Sequence, residues 1–400
     1  MKNEPNFIFK NRNPIAPLKI IAMENCRPLI EKVDRTIVDM RKGYINKYAE
    51  IDPSVLTRDY DTPSYLVEAS CPRFGSGEAK GVIHSTVRGS DLYIVSDVTN
   101  SSMSFKISGR THYMSPDDHF QDLKRVVAAA MTSAYRVSVI MPFLYMSRQH
   151  KRENRESLDC AVALNELKDM GVANIITFDA HDNRVMNAIP THDLDDYSPV
   201  YQLLKALERK FGGLKIDKDD IVVIAPHEGA MSRAIFLANN IGVGMGMFYK
   251  RRDYTVTLPD GRHPMIALEY LGPEVEGKSV FILDDIISTG ASMLEAAEEL
   301  KKMKAARVIM GATFPLFTEG KEGIAKFDEA YENGWFDHLV CTNLVYRDPE
   351  LSNRPWYIEA DLSIYISKII DTMNHNVAVT KVITPTGRLQ DLVARNRKNL

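Results

Sequence analysis

The chain has 400 residues, enough for two or three ordinary domains and for a core that needs no disulfide or metal staple. Its composition, 44% hydrophobic and 26% charged with a mean hydropathy of -0.22, excludes a wholly disordered, collagenous or coiled-coil protein. With 50 Lys+Arg against 53 Asp+Glu the formal net charge is -3, so there is no global basic excess of the kind that binds nucleic-acid phosphates. Cys26, Cys71, Cys160 and Cys341 are far apart, without a CxxC pair, and read as reduced, buried thiols rather than as a zinc site. The N-terminus lacks the apolar stretch of a signal peptide. The longest apolar run, 139–146, is far short of the roughly 20 residues of a membrane helix, so the expectation is a cytoplasmic protein.

Residues 1–65 begin with a Pro/Asn-rich stretch and contain one expected helix, 27–40; they read as an N-terminal extension. From residue 64 onward, apolar strand-like runs are expected at 64–70, 91–98, 136–143, 174–180, 221–227, 242–249, 279–286, 307–314 and 338–345. Between them, apolar residues recur at near-helical spacing over 120–134, 158–170, 200–211, 232–239 and 293–303. Strand and helix in alternation give an α/β fold of mainly parallel sheets flanked by helices. The Gly212-Gly213 pair followed by the charged stretch 215–220 marks a boundary, which gives domains at 66–213 and 214–360. Residues 361–400 form a last helix and tail expected to return to the first domain.

The strongest local signal is VFILDDIISTGASM, 280–293. A fully apolar strand runs into two carboxylates, then a Ser/Thr/Gly turn, then a helix. Asp284 and Asp285 stand at the carboxyl end of a parallel strand, where open α/β sheets bind ligands. The backbone N–H groups of Ser288, Thr289, Gly290, Ala291 and Ser292 point out of a helix N-terminus and suit a phosphate. A sugar phosphate fits both ends, hydroxyls to the acids and phosphate to the amides. The loop lacks the GK[ST] of a Walker A motif, and IGVGMG, 241–246, does not have dinucleotide-binding spacing.

This segment resembles the PRPP loop of the type I phosphoribosyltransferase fold, and further segments narrow the resemblance to ribose-phosphate pyrophosphokinase (PRPP synthetase). RFGSGEAKGVIHSTVRGSDLYIV (73–95), MPFLYMSRQHKR (141–152), FDAHDNR (178–184), APHEGAMSRA (225–234) and FYKRR (248–252) match that family's motifs in order, and HLVCTNLV (338–345) and DLSIYISKII (361–370) match its final strand and helix. The resemblance implies two tandem phosphoribosyltransferase-like domains. It implies transfer of the β,γ-diphosphoryl group of MgATP to the C1 hydroxyl of ribose 5-phosphate, giving PRPP and AMP. It further implies that Lys250 and Arg252, placed just beyond a strand, are catalytic and close over the phosphates, and that Arg148 and Gln149 contact ATP. Phe74, Gly77 and Glu78 are expected to cup adenine from a neighbouring subunit, which makes the protein a homo-oligomer. His181 corresponds to the magnesium-binding histidine.

The chain departs from the family pattern at acidic positions. Ser76, His227 and Ser288 stand where the family has Asp, Ala230 replaces a glycine, and the stretch 253–263 is longer than the family's loop. With His227 read as a second metal ligand, the site would weaken Mg2+ and favour Mn2+ or Co2+, and ligation through a neutral imidazole would make activity fall below about pH 6.5. The lost acids also keep open a catalytically silent, regulatory homologue. A PRPP-consuming phosphoribosyltransferase explains the loop but not the ATP-side motifs.

Overall fold

The computed structural model describes residues 13–152, 154–214, 216–252, 255–256, 265–380 and 384–398. It divides into two compact units. The first comprises Met1–Ser198, Leu344–Tyr346 and Leu362–Thr384; the second comprises Pro199–Asn343, Arg347–Asp361 and Pro385–Leu400.

In the first unit the chain runs through β1 (Leu18–Ala22), α1 (Arg27–Tyr48), β2 (Ala69–Ser70), β3 (Val82–Ile83), β4 (Asp91–Val95), β5 (Ser104–Ile107), β6 (Arg110–Tyr113), α2 (Pro116–Met131), β7 (Arg136–Ile140), α3 (Asp159–Asp169), β8 (Asn174–Phe178) and β9 (Asp193–Tyr197). Five strands form one parallel sheet in the order β1-β4-β7-β8-β9. Parallel strands covered on both faces read as continuous apolar runs, and β4, β7 and β8 are buried almost throughout. Local chemistry sets the helix starts. Pro116 sits in the first turn of α2, and Ser115 and Asp118 form a reciprocal capping box.

The second unit contains α4 (Val200–Phe211), β10 (Ile221–Ala225), α5 (Met231–Ile241), β11 (Gly244–Arg252), β12 (Met265–Leu271), β13 (Ser279–Ile287), α6 (Ala291–Lys302), β14 (Arg307–Pro315), α7 (Lys321–Glu332), β15 (His338–Thr342) and β16 (Tyr357–Ala360). Its seven-stranded sheet has the order β12-β11-β10-β13-β14-β15-β16, parallel except for the β11/β12 pair. Val280 and Ile282 of β13 and Met310 of β14 pack with Phe327 and Trp356 in its core. The last two helices separate: α8 (Ser363–Asn374) belongs to the first unit and α9 (Pro385–Lys398) to the second.

The structure differs from the sequence reading in five places, the first being that α9 belongs to the second unit, whereas residues 361–400 are expected to return together to the first. Residues 1–65 are not simply an extension, because Leu18–Ala22 is an edge strand of the first sheet, in register with Asp91–Val95. The division falls at 198/199 rather than after Gly213, since α4 packs on β15 and β16 and ends at Gly212 with a left-handed φ of 71°. The expected strand 64–70 is reduced to β2 and a bridge from Leu66 to Ile20. β11 continues through Lys250 to Arg252, so neither residue lies beyond the strand; antiparallel pairing with β12 extends it. Among the described residues no helix is long and apolar enough to cross a membrane.

Candidate functional site

The second unit assembles one group of side chains at the carboxyl ends of β10 and β13. These strands are parallel neighbours in the register Ile224↔Ile282, so His227, just past the end of β10, and Asp284, in the carboxyl-terminal part of β13, come side by side. His227 stands at the N-cap of a 3-10 turn, Glu228–Ala230, that leads into α5. His227 Nε2 lies 3.0 Å from Asp284 Oδ2. On α5, Arg233 places its guanidinium 3.2 Å from Asp285 Oδ2. Both acids are buried, at 4% and 3% exposure, and each faces a basic partner, the His227 imidazole or the Arg233 guanidinium. An unpaired buried charge is costly, and this arrangement supplies the pairing. Burial raises the Asp284 carboxyl above its usual range while the hydrogen bond from His227 works against that rise. The same hydrogen bond raises the imidazole of His227 above its ordinary value, with burial opposing.

Beyond the acids the chain turns through Ser288 and Thr289 into α6. Ser288 Oγ is 3.0 Å from Thr318 Oγ1, and the amide of Ala291 makes a long 3.4 Å bond to Thr289 Oγ1. Gly290 has φ 79°, and a Cβ there would lie 2.3 Å from the ring of Phe327, so the turn requires glycine at this place. α6 has no side-chain cap from Gly290, so the amides of Ala291, held only by that long bond to Thr289 Oγ1, and of Ser292 remain to meet an anion. Lys250 completes the group: its ammonium donates to Glu295 Oε2 at 2.7 Å and to Ser292 Oγ at 3.1 Å. The side chain of Arg252 lies outside the described residues.

The first unit carries its own group. Residues 73–79 form a tight turn in which the amides of Phe74 and Gly77 donate to the carbonyls of Glu78 and Phe74, and Ser76 Oγ donates to the Glu78 carboxylate at 2.7 Å. Gly77 has φ 97° and Phe74 is 56% exposed, so the turn displays an aromatic face. The β5–β6 hairpin backs it: the Ser108 amide reaches the Gly75 carbonyl, Ile107 packs on Gly77, and Arg73 lies over the Phe105 ring at 4.4 Å. The sequence reading did not find this hairpin. After β7, Arg148 is exposed, whereas Gln149 braces its own loop by donating to the carbonyls of Ser157 and Lys151. After β8, His181 lies with its ring 5.6 Å from that of His150. His150 Nε2 is 3.3 Å from the Asp182 carboxylate, which Arg184 grips and holds well below the usual carboxylate range. His150 and Asp182 were present in the quoted motifs but given no role.

Two family models match the chain: the N-terminal domain of ribose phosphate pyrophosphokinase over residues 18–171, and the phosphoribosyl transferase domain over residues 194–331. The chain belongs to the ribose-phosphate pyrophosphokinase family. Among relatives bearing the name ribose-phosphate pyrophosphokinase, that of Ralstonia nicotianae is 28% identical over 260 residues, 64% of this chain and 72% of its own length. That of Vibrio parahaemolyticus is 24% identical over 349 residues, 86% of this chain and 98% of its own. The phosphoribosylpyrophosphate synthetase of Mycobacterium smegmatis superposes with a TM-score of 0.67 at 19% identity, covering 90% of this chain and 99% of that one; this is a likeness of fold. The first match begins at Leu18, the first residue of β1, and so includes the strand that the sequence reading placed in the extension.

For a member of the ribose-phosphate pyrophosphokinase family, the metal-binding residues need comparison with the donors present. Among the described residues no group of three or more His, Cys, Asp or Glu side chains is set to hold a metal. His181 supplies one imidazole, while the Asp182 carboxylate next in sequence is already held by Arg184 and faces His150, so Mg2+ there would take most of its shell from substrate oxygens and water. His227, read above as a second metal ligand, lies with its Nε2 3.0 Å from Asp284 Oδ2; that hydrogen bond raises the imidazole above its ordinary value and leaves Nδ1 as the ring nitrogen on offer to a metal.

Proposed function

We propose that the protein is a ribose-phosphate diphosphokinase that transfers the β,γ-diphosphoryl group of ATP to the C1 hydroxyl of ribose 5-phosphate. The observation that carries this reading is the pair of buried acids, each facing a basic side chain, followed by a Ser/Thr/Gly turn that leads into a helix N-terminus without an N-cap side chain. Carboxylates accept hydrogen bonds from sugar hydroxyls, and first-turn amides donate to a phosphate. In the reaction the C1 oxygen attacks the β-phosphorus, the bond from that phosphorus to the bridging oxygen of the α-phosphate breaks, AMP leaves with that oxygen, and the hydroxyl proton is released.

Phosphoryl transfer depends chiefly on positioning and on cations that spread the charge of the transferred oxygens. Lys250, at the loop, and Arg252, two residues on, are the side chains proposed for that work. Asp284 and Asp285 orient the ribose, and Ser288, Thr289, Gly290, Ala291 and Ser292 hold its phosphate. In the first unit, Phe74 offers a face for stacking adenine, Gly77 and Glu78 shape the turn that presents it, and Arg148 supplies positive charge to the nucleotide phosphates; the amide of Gln149 keeps the Arg148 loop in shape. Mg2+ bound with ATP would neutralise charge on the transferred group, with His181 as the side chain of this unit proposed to hold it.

Serine at 76 and 288, where the family has carboxylates, favours a second reading: a silent homologue that binds the ligands without turnover. Product analysis with MgATP and ribose 5-phosphate decides. The expected result is AMP and PRPP in equal amounts. ADP as product would make the protein an ordinary kinase, and binding of both ligands without product would make it the silent homologue.

A further inference from the structure

Lys250 reaches the first turn of α6 at the phosphate loop of the second unit, and it is already engaged. Its ammonium bonds Ser292 Oγ at 3.1 Å and Glu295 Oε2 at 2.7 Å. Ser292 and Glu295 are three residues apart on α6, which puts them on one face of the helix, one at its mouth and the other a turn further in. The lysine is the more buried partner, at 22% side-chain exposure against 40% for the glutamate. An anion arriving at the amides of α6 therefore meets the ammonium and the Glu295 carboxylate together. An ammonium has three donors, so it can keep Ser292 and exchange the carboxylate for a phosphate oxygen.

We propose that Glu295 is a positioning residue that acts through Lys250: it holds the ammonium at the loop in the ligand-free chain and yields it to the phosphate of the incoming substrate. The proposal rests on the reading of the loop as a sugar-phosphate site. It makes the Lys250–Glu295 contact a competitor of substrate, not a support of it. Removing the glutamate's charge without changing its shape then tightens phosphate binding, and the gain depends on Lys250.

The test is a double-mutant cycle on the full chain with Glu295→Gln, Lys250→Met and the pair, titrated calorimetrically with ribose 5-phosphate, with inorganic phosphate and with ribose. The expected result is that Glu295→Gln binds ribose 5-phosphate and inorganic phosphate about two- to tenfold more tightly, the range that a partly exposed ion pair can supply. The gain disappears in the Lys250→Met background and is absent for ribose. In steady state the KM for ribose 5-phosphate falls by the same factor and the KM for ATP stays where it is, a split that a merely structural role would not produce. Unchanged or weaker phosphate binding in Glu295→Gln overturns the proposal. A gain that survives in Lys250→Met also overturns it, by assigning the effect to simple repulsion between Glu295 and the phosphate. The inorganic phosphate arm separates the two readings. If ribose 5-phosphate binds no better than inorganic phosphate, the sugar-phosphate reading fails while the phosphate cycle still decides the role of Glu295.

Discussion

His227 gains in the structure a partner that bears on its pH response. Read as a ligand, it should work as a neutral imidazole and lose function as pH falls; seated 3.0 Å from Asp284, it is stabilised as an imidazolium, and the sign reverses. A histidine whose folded pKa lies above its unfolded value contributes stability that is fully present below about pH 6.5 and is lost as pH rises through the raised folded value. Glutamine at 227 keeps the hydrogen bond and removes the charge. His227→Gln should therefore be less stable than the natural chain at acid pH and converge on it at alkaline pH, as followed by urea unfolding at several pH values; a constant difference across the range would show that the pair does not titrate. Asp284→Asn tests the neighbouring role, because it preserves shape while removing the charged acceptor. Ribose 5-phosphate binding should weaken by about 1.5–3 kcal/mol, the scale of hydrogen bonds to charged groups, with ATP binding unmoved in the same calorimetric experiment. The acids themselves were legible, since DD after an apolar strand is a local pattern. Their cations were not assigned, because His227 and Arg233 reach them from another strand and helix, and pairing across a sheet is not written in spacing.

At the scale of elements, eight of the nine expected strands correspond to β4, β7, β8, β10, β11, β13, β14 and β15, because long apolar runs buried on both faces leave a clear signal. The unread strands had other reasons to hide. β1 is apolar but stands among prolines, and β9, DLDDY, carries three aspartates, a residue poorly suited to strands. Parallel pairing with β8 overrides that preference, and burial raises the Asp195 carboxyl. The phosphate turn was legible as a Ser/Thr/Gly cluster, whereas the need for glycine at 290 comes from Phe327 on α7, a tertiary contact. That contact makes Gly290→Ala informative. The new Cβ meets a ring at 2.3 Å and the residue must keep φ 79°, so the turn has to move. Loss of about 2–4 kcal/mol, the range for overpacking combined with a strained backbone, is expected in chemical denaturation, together with loss of ribose 5-phosphate binding. Retained binding at natural affinity would show that the turn's shape is not what holds the phosphate.

Within the first unit the chain closes on itself over almost its whole length. Arg41 on α1 and Asp371 on α8 are 1% and 0% exposed and bond at 2.8 Å. Around them Arg41 also donates to Asn374, Asn374 donates to Asp91 at the start of β4, and Arg136 at the start of β7 donates to Asp91 and to the carbonyl of Met373. One turn of α8 thus ties together an edge strand's neighbour, a central strand and the first helix, across some 330 residues of sequence. Such non-local contacts carry a large closure cost before they form, so the first unit is completed only when the last part of the chain is present. The expected return of residues 361–400 holds for α8 and not for α9, which joins the second unit; the ionic lock has no sequence signal, since a lone Arg and Asp so far apart carry no joint pattern. Removing one member leaves a charge buried without its partner, which costs about 3–5 kcal/mol, while replacing both by apolar groups of similar volume is close to neutral. Asp371→Ala should accordingly speed hydrogen exchange of the amides of β1 and β4 by a factor that corresponds to that loss, and Arg41→Met combined with Asp371→Leu should recover most of the protection. If the double variant exchanges as fast as Asp371→Ala, the polar network around Asn374, rather than the charge pair, holds the first unit closed.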